Sequence, residues 1–104
     1  EEQAEKFGLR APMVGHLGDG NFHVILPYDP AKKEMYERIR EFNDLLIKKG
    51  LELNGTITGE HGVGLHKKKY LLEQHADNMP VMKSIKRTLD NNNIMNPGKI
   101  FDLN

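Results

Sequence analysis

The sequence predicts an α+β domain, an antiparallel sheet with helices on one face. Three observations carry this reading. Residues 12–27 read as two short strands around an Asp19-Gly20 turn, a segment starting near Pro30 places Met35, Ile39, Phe42 and Leu46 on one side of a helix, and a later segment does the same with Val81, Met82, Ile85 and Leu89. Alternating strands beside one-sided helical stripes give a sheet with one face packed and one face open. The 104 residues are read as one domain, 1–104, able to build a single core but too short for a core plus a separate cofactor domain.

In chain order, Glu1 to Gly8 carries Ala4 and Phe7 at helical spacing and reads as the last turns of a helix closed by Gly8. Pro12 to Leu17 and Asn21 to Pro27 are the hairpin strands. Asp-Gly is a preferred centre for a two-residue type I′ turn, because both central residues need positive φ. Counting outward from it pairs Asn21 with Gly18, Phe22 with Leu17, His23 with His16 and Val14 with Ile25. A helix over 30–49 follows, with Asp29 as N-cap, Pro30 at its first position and Gly50 as its stop after Lys48 and Lys49. Leu51 to Thr58 alternates enough to predict a third strand. Gly59 to Gly64 is irregular, since glycine costs a helix about 1 kcal/mol relative to alanine. Helices are expected over 65–74 and from Asp77 or Asn78 to Asp90, the second with Pro80 in its first turn. The tail Asn96-Pro97-Gly98-Lys99 is a turn leading to two apolar anchors, Ile100 and Phe101. Sheet and helices together suggest a ferredoxin-like arrangement.

Composition narrows the function. Fifteen basic and fifteen acidic residues cancel, so no overall field draws the chain to nucleic acid or to an anionic membrane surface. The absence of cysteine removes thiolate chemistry and leaves any metal site to histidine and carboxylate ligands. No apolar run approaches the ~20 residues of a membrane span and no signal-peptide pattern is present, which points to a cytoplasmic location. The chain starts at Glu1 inside a helix-like segment, and further sequence upstream is expected.

Chemistry concentrates in Gly15-His16-Leu17-Gly18-Asp19-Gly20-Asn21-Phe22-His23 and in Gly59-Glu60-His61-Gly62. In the predicted register the two imidazoles stand directly opposite, with Cβ atoms about 4.5–5.5 Å apart, a chelating distance. Glu60 adds a carboxylate, and two histidines with one glutamate form a catalytic metal set that leaves a coordination position open, suited to zinc, manganese or ferrous iron. The plain alternative is a solvated histidine pair. Glu60 and His61 would point apart in a regular strand, but the flanking glycines let the backbone turn so that both reach one site, one binding metal and the other handling a proton.

These residues also carry a family resemblance. Gly15-His16-x-Gly18-Asp19-Gly20-Asn21-Phe22-His23, Gly55-Thr56-x-Thr58-Gly59-Glu60-His61-Gly62-x-Gly64 and Asn96-Pro97-Gly98-Lys99, in this order over nearly the whole chain, resemble the C-terminal part of FAD-linked 2-hydroxyacid dehydrogenases. These are flavoproteins of the vanillyl-alcohol oxidase superfamily, including D-lactate dehydrogenase and the glycolate oxidase D subunit. The resemblance implies that His16, His23 and Glu60 hold a divalent metal beside the flavin and that His61 is the base. It implies that Asn21, Asn96 and Lys99 approach the flavin. Ile25 stands where hydroxyglutarate-type relatives carry an asparagine, a departure that favours a small monocarboxylate substrate, D-lactate or glycolate-like.

The implied reaction oxidises a D-2-hydroxyacid to the 2-oxoacid: metal stabilises developing alkoxide charge, His61 takes the hydroxyl proton, and the 2-hydrogen leaves as hydride to FAD. An imidazole suits that proton transfer because it titrates near operating pH. No dinucleotide fingerprint is present, since Gly59, Gly62 and Gly64 follow the wrong order. FAD is expected on the protein's own FAD-binding domain, N-terminal to this region, and the isolated chain is expected to be inactive. A small metallohydrolase using the same residues, and a non-catalytic α+β interaction module, are the competing classes. Lys67-Lys68-Lys69 reads as a solvated face, His66 and His75 as surface residues, Met79, Met82 and Met95 as core filling, and Asp19 as a turn residue.

Overall fold

A computed structural model describes residues 2–103; Glu1, the first residue of the expected N-terminal helix, lies outside them. The chain divides into two compact units, Glu1–Asn54 and Gly55–Asn104.

The first unit holds α1 (Glu2–Lys6), the strands β1 (Met13–His16) and β2 (Asn21–Val24), and α2 (Lys33–Glu52). The strands form a two-stranded antiparallel sheet. Ala4, Leu9 and Phe42 are its buried centre, with Phe7, Ala11, Val24, Leu26, Met35 and Ile39 packed around them. Phe7 meets Phe42 edge to face at 5.7 Å between ring centroids, a geometry that aligns a positive ring edge with a negative face. Met35, Ile39 and Phe42 of the predicted stripe therefore join the same core as Val24, while Leu46 is only half-buried and not among its residues.

The α+β class and the antiparallel hairpin are present, with corrections at the boundaries. Asp29 does not cap α2: its Oδ1 accepts the Ala31 N–H at 3.0 Å and its carbonyl accepts the Lys32 N–H at 2.9 Å. This makes a separate turn, and the helix proper starts at Lys33. Gly50 does not stop α2, which runs on to Glu52. A single helical glycine costs about 1 kcal/mol, too little to end a helix whose next residues are helix formers. The stop is Asn54, in the left-handed region at φ 60°, where asparagine is tolerated at a helix end. Residues 51–58 are consequently the helix end and an irregular segment, and the predicted third strand does not form. Among the described residues the sheet has two strands, so the ferredoxin-like expectation reduces to its α+β class.

The second unit holds α3 (Lys68–Gln74), a 3-10 turn over Ala76–Asn78 and α4 (Met79–Leu89). Ile57, Tyr70, Leu71 and Met79 are buried. Both helices form close to where periodicity placed them, α3 starting three residues later than expected and α4 beginning with Pro80 in its first turn. The apolar side of α4 is a different matter. Val81, Ile85 and Leu89 are 61%, 56% and 79% exposed, so the predicted stripe is not a core face, and Met95 is likewise exposed rather than core filling.

After α4 the chain is turned by Asp90, whose carboxylate accepts the N–H groups of Ile94 and Met95, each at 3.0 Å, and the ammonium of Lys86. The Lys86 hydrogen bond, supported by the two backbone donors, holds this carboxyl below its ordinary pKa against the opposing effect of burial. No helix among the described residues is long and apolar enough to cross a membrane.

Candidate functional site

The hairpin turn differs from the two-residue form. Leu17–Asp19 make a 3-10 turn, and Gly20, left-handed at φ 71°, closes it by donating its N–H to the Leu17 carbonyl at 3.1 Å. Asp19-Gly20 is therefore the end of a four-residue loop, with glycine in the last position as such turns favour. The register follows from that loop: His16 pairs with Asn21, Gly15 with Phe22, Val14 with His23 and Met13 with Val24. The predicted pairs of His16 with His23 and Val14 with Ile25 are both displaced by two positions.

The displacement is even, and that preserves the chemistry. A one-residue slip would move every side chain to the opposite face, whereas a two-residue slip leaves each on its own. Val14, His16, Asn21 and His23 thus share one face of the hairpin, opposite to the face through which Val24 joins the core. His16 stands directly across from Asn21 and diagonal to His23. Diagonal neighbours lie roughly 7–8 Å apart, still within reach of aromatic and long side chains.

Gly15 makes this pairing possible. A Cβ built there would lie 2.5 Å from both the Asn21 carbonyl oxygen and the Phe22 Cα, so the two strands approach as closely as they do only because residue 15 lacks a side chain.

In the second unit, Glu60 and His61 sit in the bend between Ile57 and α3, with Gly62 left-handed at φ 72°. Their side chains lie on the same side, His61 Nε2 standing 3.7 Å from Glu60 Oε1, with His61 72% and Glu60 50% exposed. The segment entering this loop is pinned by Gln74, whose Oε1 accepts the Thr56 hydroxyl and the Ile57 N–H, both at 3.2 Å. Thr58 Oγ1 donates to the Gly62 carbonyl at 3.2 Å and accepts from Lys67 Nζ at 3.1 Å. On the exit side, the Ile100 N–H donates to the Gly64 carbonyl at 2.8 Å.

The tail that supplies Ile100 also carries Asn96, left-handed at φ 49°, and Lys99, whose ammonium turns back on the Pro97 carbonyl at 3.3 Å. Lys68 Nζ reaches both Asp102 carboxylate oxygens at 2.8 Å and the Gly98 carbonyl at 3.1 Å. Ile100 anchors through its backbone, its side chain being exposed. Of the lysine run expected to be a solvated face, Lys67 and Lys68 are half-buried and engaged in the unit's own structure, while Lys69 lies over the Tyr70 ring. Thr58 stood within the quoted motif, but Asp102, 34 residues from its partner, leaves no local signal.

Each unit carries donors of its own: two imidazoles on one hairpin face in the first, and a carboxylate beside an imidazole in a glycine-flanked bend in the second. Imidazole and carboxylate donors suit zinc, manganese and iron. A family model described as FAD linked oxidases, C-terminal domain, matches residues 1–100. The chain is 42% identical over 96 residues to a probable mitochondrial D-lactate dehydrogenase of Danio rerio, covering 91% of this chain and 19% of that protein. It is 41% identical over 102 residues to the mitochondrial D-lactate dehydrogenase [cytochrome] of Arabidopsis thaliana, covering 97% and 18%. To the glycolate oxidase subunit GlcD of Bacillus subtilis it is 40% identical over 99 residues, covering 94% and 21%. The chain spans about a fifth of the length of these relatives.

Proposed function

The chain belongs to the family of FAD linked oxidases, as their C-terminal domain, and from that premise we propose that it is the substrate-side wall of a flavin-dependent oxidoreductase that converts a D-2-hydroxyacid to the 2-oxoacid. The observation that carries the reading is the shared face of His16, Asn21 and His23. It is supported by the side-by-side placement of Glu60 and His61. D-Lactate or glycolate is the substrate class, in keeping with the names of the relatives above and with Ile25 beside the histidine face.

His16, His23 and Glu60 would hold a divalent metal, and Asn21, Asn96 and Lys99 would approach the flavin. When bound, the flavin accepts hydride and the metal supplies Lewis acidity at the 2-oxygen. His61 takes the substrate hydroxyl proton on an imidazole nitrogen. His61 is suited to this because its side chain is 72% exposed and sits on a bend that leaves it accessible. The expected location is cytoplasmic, with an electron acceptor reached at a membrane surface; two of the relatives are named mitochondrial, and fractionation of source cells decides.

The test is anaerobic mixing of the full-length protein with D-lactate, glycolate and the L-enantiomer of lactate, following loss of the oxidised flavin absorbance. Bleaching by D-lactate or glycolate but not by L-lactate is the expected result. Metal-dependent hydrolysis by this chain alone, with no flavin reduction, would replace the reading by that of a metallohydrolase.

A further inference from the structure

We propose that the consecutive lysines Lys67 and Lys68 are positioning residues that grip the Glu60–His61 bend from its two ends. The inference rests on the roles given above to Glu60 and His61. A bend with glycines at 59, 62 and 64 has much backbone freedom to lose, and contacts from outside it restrict that freedom.

Lys67 imposes it at the neck. Its ammonium donates to Thr58 Oγ1, and the same hydroxyl donates to the Gly62 carbonyl, so one hydrogen-bonded chain crosses the bend from its entry to the residue just past His61. A donor to the hydroxyl oxygen also strengthens the bond that the hydroxyl itself gives.

Lys68 imposes it at the far end, through the tail. Its ammonium joins Asp102 to the Gly98 carbonyl, spanning the stretch whose Ile100 N–H holds Gly64. Ile100 has φ 69°, and the Phe101 N–H donates to the Lys99 carbonyl at 2.8 Å around it, a γ-turn of the strained, positive-φ kind. For a β-branched residue such a conformation is strained and persists only where its surroundings over-determine it. The Lys68 clasp, closing over Ile100 from Gly98 to Asp102, is that constraint. Because Asp102 is largely exposed, the ion pair by itself adds little stability; its effect is directional, keeping the Ile100 N–H aimed at Gly64.

The experiment uses the flavin-loaded full-length protein with Lys67→Met, Lys68→Met, Lys68→Arg and, as control, Lys69→Met. Amide hydrogen exchange over residues 59–64 should quicken about tenfold in Lys67→Met and Lys68→Met, with exchange over 79–89 unchanged. In the same variants kcat for the D-2-hydroxyacid should fall by about 10²-fold with KM little altered, as expected when a reacting group is misplaced by about 1 Å. Lys68→Arg should recover most of both losses, and Lys69→Met should match the parent. Unchanged exchange over 59–64 overturns the proposal, and so does an equal rise over 79–89, which would mark a general loss of stability. If the parent protein reduces no flavin with any D-2-hydroxyacid, the functional reading fails, while the exchange arm still decides the clasp.

Discussion

His16 and His23 lie on one face of the hairpin but in diagonal rather than opposed positions, with Asn21 directly across from His16 and Val14 across from His23. The even spacing keeps both imidazoles on the face opposite to the one through which Val24 joins the core.

The proposed division of labour between metal ligands and base gives the sharpest mutational contrast. In the full-length enzyme, His16→Ala and Glu60→Ala should lose bound metal and flavin reduction together. His61→Ala should keep metal, measured by atomic emission on the purified protein, while flavin reduction slows by about 10²–10⁴-fold, the usual range for removing a general base. Full flavin reduction by the Glu60→Ala enzyme would remove Glu60 from the site.

Activity should also depend on more than this chain. No group among its residues can accept a hydride, so the 104-residue chain alone should oxidise neither D-lactate nor glycolate with an artificial electron acceptor. Turnover in that assay would contradict the assignment of the flavin to another part of the protein.

Two hairpin glycines should respond differently to the same change. Gly15→Ala places a methyl group 2.5 Å from the Asn21 carbonyl oxygen and should destabilise by roughly 1–3 kcal/mol, the scale of overpacking. Gly18→Ala meets nothing within 4 Å and should stay within about 0.5 kcal/mol of the parent, as surface changes do. Urea denaturation of the two variants makes the comparison, and equal effects would refute the close strand approach at Gly15.

Asp90 should make stability depend on pH in one direction. Its carboxyl is held below the ordinary range by the Lys86 hydrogen bond and the Ile94 and Met95 donors. The folded state thus binds its proton less readily than the unfolded chain, whose aspartates titrate near a pKa of about 3.9. The contribution is fully present above that value and is lost as pH falls through the lowered folded value. Denaturation of the parent and Asp90→Asn across the acid range should show a constant gap above the carboxylate range that closes below it. A gap that does not change with pH would contradict this account.

Features that depend on local repeat were legible in the residues alone. The side of α2 that carries Met35, Ile39 and Phe42 follows from helical periodicity, and these residues do pack on Ala4 and Leu9. The face shared by His16 and His23 follows from strand parity, which is why it survived a register that was wrong by two. The bend at Glu60-His61 follows from its glycines. Contacts between residues distant in the chain set what local repeat cannot express. Leu51 and Glu52 continue α2 because alternation over so few residues is indistinguishable from a helix end, and the left-handed Asn54 settles it. The hairpin register came from a hydrogen bond between Gly20 and Leu17, one of several closures that Leu-Gly-Asp-Gly permits. Lys67 and Lys68 read as solvated charges until Thr58, Gly98 and Asp102 are brought to them, since a side-chain bond across 34 residues is created by chain folding and has no periodicity to announce it.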